Sequence, residues 1–478
     1  MYNSEFYKYR KNEIGTIKKP FGLKLNIALV FPDTYPTAIS NLGYMYLYRF
    51  FNSHADINCE RFFLDSPNFS FENKRRLDEF DIIAFSIPYE PLYWNALEIL
   101  LKNNIPVFKE KRKKHPLIFI GGIATWINPY PFLNIADFII RGEIENLGSE
   151  FLDFLFYFQK ENFIEELKQK FKNIYTCRED STEIEFIKDL SEYEPIYSPI
   201  VSSYSQFKDK FLIEITRGCP YNCKFCYVGN FIKNFRQHKW EKVQKIFDEY
   251  ECRNIGIISS SPTSWKGIEK LIKWAKKKQA KLSFSSFRVE GITNELLEIL
   301  LFSGQKSITI APETGDEKFR FFLNKKIPNE AFYEKIEKIF RIGFRKIKLY
   351  FIIGLPYETE EILHNNVKFL NKINKISKKY CKTGKLRTIE ASFSIFVPKP
   401  GTPFEKTPYL QKNILEKKIN FLRKELASLN LVKTYFETIK DYYFQYLLSN
   451  YKNCMVKLYQ QMNGKIKIRE LINQIRRL

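Results

Sequence analysis

Three cysteines lie within eight residues, at Cys219, Cys223 and Cys226, directly after the apolar run of residues 211–216. A disulfide between any two of them would close a loop too short for unstrained bond geometry. The three thiolates can instead converge on one metal centre, and a [4Fe–4S] cluster is normally held by four. The spacing therefore predicts a cluster in which one iron is left open for another ligand.

A zinc site is the alternative interpretation of these thiols, because His238 follows them and could act as a fourth ligand. Zinc sites, however, usually show paired Cys-x-x-Cys or Cys/His sets. The apolar strand before the loop favours the iron–sulfur interpretation, because chemistry gathers in the loops that follow parallel strands.

Composition bounds the class of protein. The chain has 478 residues, 44% of them hydrophobic, which predicts two or three domains with buried cores. There is no apolar leader and no run long enough to span a membrane, so we expect a cytoplasmic protein without membrane insertion. The other five cysteines are scattered, unlike a secreted disulfide framework. The net charge of +23 leaves RNA or ribosome binding open beside a merely lysine-rich surface.

Buried strands alternate with helices in the first third, and the fold class predicted for the whole chain is α/β. Strands are predicted at 25–31, 81–87, 117–120 and 136–140, with helices at 41–51 and 90–103. This pattern is typical of a Rossmann-like parallel sheet, which we place at residues 23–177. Ligands of such sheets bind beyond the carboxyl ends of the strands.

A linker is predicted at 178–210, after which the alternation of strands and helices restarts. Six strand–helix units indicate a partial (β/α)6 barrel at 211–404, followed by a mostly helical extension at 405–478. The strands of this barrel are predicted at 211–217, 254–260, 281–287, 307–312, 347–353 and 388–396.

The strand, the Cys-x-x-x-Cys-x-x-Cys spacing and the aromatic Phe225 before the third cysteine resemble the radical S-adenosylmethionine (SAM) superfamily. The resemblance implies that the open iron chelates the amino and carboxylate groups of SAM. It also implies an electron donor such as flavodoxin or ferredoxin, and a 5′-deoxyadenosyl radical that abstracts a substrate hydrogen. The barrel would position these groups and exclude water and oxygen.

Further positions carry over from the family by their place in the barrel. Ser285 and Arg288 follow the third strand, where they could reach the SAM carboxylate, although an ion pair would equally explain Arg288. Glu313 follows the fourth strand, where a polar residue binds the ribose, and Ile352 and Gly354 resemble the adenine-contacting motif. Serines at 259–261 replace the family's Gly-Gly-Glu and are weaker candidates.

The span 25–404 resembles radical SAM proteins that carry an N-terminal cobalamin-binding-like domain. Members with a protein ligand to cobalt carry an Asp-x-His-x-x-Gly loop after the first strand. Here that loop, residues 33–43, contains no histidine. Two interpretations stay open: cobalamin bound without a protein ligand, or a domain that has lost the cofactor and now binds substrate.

Three functions follow from the resemblance. The first is a radical SAM enzyme that modifies RNA or a ribosome-associated substrate, with methylation as one reaction. The second is a radical SAM enzyme acting on a small metabolite or lipid precursor, and the third is a non-catalytic iron–sulfur scaffold. A methylthiotransferase is disfavoured because the N-terminal domain offers only Cys59 and Cys177 for a second cluster.

Overall fold

The computed structural model describes residues 4–112, 116–180, 184–232, 234–381 and 386–451. The helical pattern predicted at 467–475 lies outside these ranges. The chain divides into two compact units, which are described separately. The first comprises Met1–Ile187, Ile196–Lys210 and Leu447–Leu478, and the second comprises Lys188–Pro195 and Phe211–Tyr446.

The first unit is built on a six-stranded sheet with the order β3-β2-β4-β5-β6-β7. The strands β2 to β6 are parallel, and β7 is antiparallel to β6. The chain adds β3 on one side of β2 and then β4, β5 and β6 on the other side. This strand order is that of doubly wound nucleotide-binding folds. The strands β1–β9 of the unit are Glu13–Ile14, Leu25–Phe31, Ile57–Phe63, Ile82–Ser86, Leu117–Gly121, Phe138–Ile140, Ile174–Tyr175, Tyr197–Ser198 and Val201–Ser202.

Seven helices lie in the described part of this unit, and the first was not predicted. Residues 1–22 are polar and basic and were expected to be irregular. The helix α1 forms there because Phe6 is buried against Phe71 and Phe63, whose ring centroids lie 5.2 and 6.3 Å away. The helices α1–α7 are Ser4–Asn12, Tyr35–Ala38, Leu42–Ser53, Leu92–Lys102, Ile123–Ile127, Gly148–Leu155 and Phe163–Lys170.

The second unit contains a curved parallel sheet. Strands β10, β13 and β14 pair in parallel, as do β15, β16, β17 and β18, and a bridge between Phe287 and Ile310 joins the two sets. The short strands β11 and β12 form a separate antiparallel pair. Strands β10–β18 are Phe211–Glu214, Thr216–Arg217, Arg236–Gln237, Asn254–Ile258, Lys281–Phe284, Ser307–Glu313, Lys346–Ile353, Thr388–Ile395 and Val432–Phe436.

The helices that follow these strands cover one face of the sheet. In β16 and β17 every second residue is buried, and the buried Phe351 packs against Phe369 of the covering helix. Parallel strands with all their helices on one face form a barrel-like sheet, which confirms the predicted α/β fold class. Helices α8–α16 are Tyr227–Asn230, Trp240–Glu249, Ile268–Lys278, Asn294–Phe302, Glu317–Phe322, Asn329–Ile342, Glu360–Lys379, Lys412–Leu426 and Ile439–Asn450.

Strand β18 was not predicted, because residues 405–478 read as mostly helical. It pairs with β17 along five residues and extends the sheet beyond the six expected strands. Within the described ranges, none of the helices is both long and apolar enough to cross a membrane.

Candidate iron–sulfur and SAM site

The cysteine loop leaves the sheet through a turn that requires glycine. Gly218 has a φ of +76°, and a Cβ built on it would lie 2.4 Å from the Asn234 carbonyl oxygen. The Ser260 hydroxyl donates a hydrogen bond to the Gly218 carbonyl. The turn is thus held by the loop after β13, and the cysteine run begins at Cys219, just after β11.

Backbone contacts close the loop around the second and third cysteines. The Cys226 N–H donates to the Cys223 carbonyl at 3.0 Å, and the Asn230 amide donates to the carbonyls of both residues at 2.7 Å. A Cβ on Gly229 would lie 2.0 Å from the Tyr221 carbonyl oxygen. The first turn of α8 therefore packs directly on the loop and fixes its shape.

The three thiols lie close enough to influence one another. Burial raises the pKa of each thiol, and each also has its pKa raised by the charge of a neighbouring cysteine. The backbone N–H groups of Tyr221, Val228 and Gly229 donate to the sulfurs and oppose this effect. The three neighbouring thiols, one buried and two partly buried, form a set of donors for a shared centre.

This donor set fits a [4Fe–4S] cluster. No group of three His, Cys, Asp or Glu in the described part of the chain converges closely enough for one metal ion. A cluster does not need such convergence, because each thiolate binds a different iron. Cys219, Cys223 and Cys226 would hold three irons, while the positive charges of Arg288 and Lys325 favour the ionised form of Cys219 and Cys223.

Arg288 lies beside the cysteine loop. Its guanidinium carbon is 3.5 Å from the Tyr221 ring centroid, and one terminal nitrogen donates to Glu290 at 2.8 Å. Its Nε is buried and has no hydrogen-bond partner among the described residues. Arg288 is therefore an ion-paired residue with one free donor near the thiols, whereas Ser285 is exposed at the end of β14.

Glu313 is held by an ion pair that the sequence did not predict. Its Oε1 lies 2.8 Å from Lys325 Nζ, and both side chains are buried. The residue ends β15 with a φ of +64°, after a register shift in the pairing with β16. A non-glycine residue in this conformation is strained, and such strain is common where a side chain is aimed at a ligand.

Phe225 and Ile352 pack against the same apolar cluster. Its buried members are Phe319, Leu323, Leu355, Ile362, Phe396 and Phe404. The structure thus brings the residue before the third cysteine and the end of β16 together. Gly354 follows with a φ of +80°, and its N–H donates to Glu358 Oε2 at 2.9 Å.

The weaker candidates have structural partners. Ser259 shares a hydrogen bond of 2.5 Å with Thr216, and Ser261 shares one of 2.8 Å with Ser264. His238 is buried with its Nε2 3.9 Å from Glu214, a carboxylate that ion-pairs with Arg217. None of these contacts places the His238 ring beside the three thiols.

Residues that sequence reasoning missed fasten the loop to the end of α12. The Lys224 N–H donates to the Leu323 carbonyl at 3.0 Å, and the Asn324 amide donates to the Asn222 carbonyl at 3.1 Å. Of the residues that hold the loop, Asn230 could have been predicted from the sequence, since it lies one helical turn after Cys226. Lys325 and Asn324 could not, because their role depends on a contact across the barrel.

In the first unit, the carboxyl ends of β2 and β4 meet where the strand order reverses, which is where such sheets bind cofactors. The loop after β2 presents no histidine. His54 precedes β3 at the opposite edge and lies 3.3 Å from Asp153, while His115 is outside the described residues. Among the described residues of the first unit, no histidine lies at this end of the sheet.

Comparisons with known sequences cover both units. The sequence model for the N-terminal region of radical SAM proteins matches residues 43–199, and that for the radical SAM superfamily matches residues 213–370. An uncharacterized protein of Methanocaldococcus jannaschii is 29% identical over 84% of this chain and 83% of that protein. A bacteriochlorophyllide d C-8(2)-methyltransferase of Chlorobaculum tepidum is 27% identical over 30% of this chain and 31% of that enzyme.

Among solved structures, the chain resembles apo OxsB, described as a cobalamin-dependent S-adenosylmethionine radical enzyme. The TM-score is 0.50 with 14% identity, over 95% of this chain and 70% of OxsB. At this level of identity the likeness concerns the fold.

Proposed function

Because this chain belongs to the radical SAM superfamily of enzymes, we propose that it reductively cleaves SAM at a [4Fe–4S] cluster to modify a substrate by radical chemistry. The observation that carries the proposal is that Cys219, Cys223 and Cys226 lie in one loop after β11, which backbone and Asn230 hydrogen bonds close around Cys223 and Cys226. When bound, the cluster and SAM supply a one-electron cleavage of the sulfonium and a carbon radical.

The chain's own residues would bind and orient SAM. Arg288 supports the SAM carboxylate through its unpartnered Nε, since a guanidinium donor suits that group. Glu313, oriented by Lys325, accepts from the ribose hydroxyls. The backbone at Ile352–Gly354 contacts the adenine, while the apolar cluster around Phe225 excludes water.

The test is anaerobic reconstitution with iron and sulfide, followed by dithionite and SAM in place of a flavodoxin or ferredoxin donor. We expect brown cluster absorbance and release of 5′-deoxyadenosine, both lost in Cys223→Ala. The control is Cys252→Ala, which removes a buried cysteine outside the loop. A fully formed cluster in Cys223→Ala would contradict the ligand assignment. Absence of SAM cleavage by a loaded cluster would favour a non-catalytic scaffold.

Methyl transfer is the reaction we propose for the radical. It is supported by the 27% identity with a bacteriochlorophyllide d C-8(2)-methyltransferase over 157 residues. Formation of S-adenosylhomocysteine with a cell extract as substrate would support it. An extract that yields 5′-deoxyadenosine alone would indicate a different radical reaction.

Cobalamin binding is a separate question, because no histidine follows β2. We expect that any bound cobalamin lacks a histidine ligand from this loop. Incubation of the full chain with hydroxocobalamin, removal of the free compound and an absorbance spectrum test this. A spectrum typical of histidine ligation would contradict the expectation, and absence of any cobalamin would indicate that the domain binds substrate instead.

A further inference from the structure

The uncovered face of the second sheet is polar in its last three strands. In β16 and β17 the residues that alternate with the buried ones are Lys346, Lys348, Tyr350 and Ile352, and Thr388, Glu390, Ser392 and Ser394. The helix α14 packs on the other face through Phe369, while on this face Tyr442 of α16 hydrogen-bonds to Ser394 at the end of β17. These side chains therefore lie on the face of the sheet opposite to the helices that follow the strands.

The register of the strands places these side chains in rows. Lys348 pairs with Glu390, and Glu390 pairs with Lys433. In the next row Tyr350 pairs with Ser392, and Ser392 pairs with Tyr435. Residues paired across neighbouring strands share a face and lie side by side. We call these six residues the inner face: Lys348, Tyr350, Glu390, Ser392, Lys433 and Tyr435.

The inner face carries more positive than negative charge. Glu390 is its single carboxylate, and this group also pairs with Lys346 at 2.7 Å, while Lys348 Nζ lies 3.8 Å away. One carboxylate therefore faces three ammonium groups, those of Lys346, Lys348 and Lys433. The side chain of Lys348 is 42% exposed and Lys433 is also exposed, so neither charge is shut away from a ligand.

The two tyrosines supply apolar surface next to this charge. Tyr350 is 41% exposed and Tyr435 is 51% exposed, which is unusual for aromatic side chains of a central parallel sheet. They lie two strands apart, which corresponds to about 10 Å. A surface of this width suits a single planar molecule better than an RNA strand, whose charges repeat along its length.

We propose that the inner face binds a small planar substrate that carries an acidic group, a carboxylate or a phosphate. Lys348 and Lys433 pair with the acidic group, and the rings of Tyr350 and Tyr435 contact the planar part. This inference rests on the proposed function, since it names the substrate class for the same barrel. It assigns Lys348, Tyr350, Lys433 and Tyr435 as substrate-binding residues.

The test uses 8-anilinonaphthalene-1-sulfonate, a planar anion that fluoresces on binding, with the neutral N-phenyl-1-naphthylamine as its matched probe. We expect the apoprotein to bind the anion, and the variant Lys348→Gln/Lys433→Gln to raise its Kd at least about tenfold, since two ion pairs are lost. The Kd of the neutral probe should rise at most about twofold in the same variant. The control variant Lys368→Gln/Lys375→Gln removes the same charge from exposed positions of α14.

An unchanged Kd for the anion in the inner-face variant, or an equal loss in the control variant, would overturn the proposal. If the double variant fails to fold, the single substitution Lys433→Gln, at an exposed position, should still weaken binding of the anionic probe and leave binding of the neutral probe unchanged. Displacement of the probe by 1-naphthoate or by 1-naphthyl phosphate then distinguishes the two acidic groups. Displacement by an oligouridylate that depends on the same lysines would identify RNA and overturn the small-molecule assignment. Because no reductant or SAM is present, failure of SAM cleavage does not affect this result.

Discussion

Glu313 and Lys325 form a buried ion pair, with 2.8 Å between Oε1 and Nζ, that joins the end of β15 to the segment after α12. The same segment accepts a hydrogen bond from the Lys224 N–H at the Leu323 carbonyl, and its Asn324 amide donates one to the Asn222 carbonyl of the cysteine loop. One short stretch therefore positions both Glu313, which we propose binds the ribose, and the loop that we propose binds the cluster. This coupling leads to the first prediction.

Lys325→Met should destabilise the apoprotein by about 3 kcal/mol, because it leaves the Glu313 carboxylate buried and unpaired. We also expect weaker SAM binding by the reconstituted protein. Urea unfolding and equilibrium dialysis with SAM measure the two effects. Lys326→Met is the matched control, since Lys326 is exposed and its loss should change the unfolding free energy by less than about 0.5 kcal/mol. Equal effects of both substitutions would contradict the role given to the ion pair.

Gly229→Ala should prevent normal cluster assembly. The added methyl group would lie 2.0 Å from the Tyr221 carbonyl oxygen, so the loop must move away from α8. We expect overpacking to lower the free energy of unfolding by about 1–3 kcal/mol. We also expect reconstitution to give only a small part of the wild-type cluster absorbance. Gly43→Ala, where the methyl group would meet only the Asn41 side chain at 3.4 Å, should reconstitute normally. A full cluster in Gly229→Ala would show that the loop tolerates a different shape.

Asn230→Asp should be more harmful than Asn230→Ala. The amide donates to the carbonyls of Cys223 and Cys226, and a carboxylate would place a charged acceptor against both oxygens. Removal of the two hydrogen bonds alone should cost about 2 kcal/mol. Iron and sulfide content after reconstitution, compared among the wild type and both variants, measures the effect. Identical cluster content in all three would rule out a positioning role for Asn230.

Protonation of the Glu214 carboxylate should lower the free energy of unfolding at acid pH. Burial raises the pKa of this carboxyl, but Arg217 and His238 outweigh burial and lower it from 4.5 to about 2. A lowered pKa in the folded state contributes stability above the unfolded pKa, and this contribution is lost as the pH falls from about 4.5 towards 2. We expect Glu214→Gln to cost about 3 kcal/mol at pH 7 and little near pH 2.

Urea unfolding of the apoprotein from pH 7 to pH 3 checks this prediction. The difference between wild type and Glu214→Gln should shrink as the pH falls. Glu241→Gln is a suitable control because Glu241 is an exposed carboxylate on α9, paired with the exposed Lys270. A difference that stays constant with pH would mean that Glu214 contributes by shape and hydrogen bonding rather than by its charge.

Local patterns made much of the fold predictable. Continuous apolar runs identified β2, β4 and β5, since strands buried on both faces must be apolar throughout. Alternation with amphipathic helices indicated parallel sheets in both units. Strand β18 was missed because its residues, Val432–Phe436, alternate and resemble neither a buried strand nor a helix clearly; it forms by pairing with β17, a contact between distant residues.

The sequence by itself determined the thiol cluster, because three cysteines within one loop are forced together by the short chain between them. It also determined the absence of a histidine after β2. Only the tertiary structure decided what surrounds the thiols and lines the barrel. The ion pair of Glu313 with Lys325, the stacking of Arg288 on Tyr221 and the inner face on β16, β17 and β18 depend on strand register and loop packing. Such contacts join residues far apart in the chain, and no local spacing encodes them.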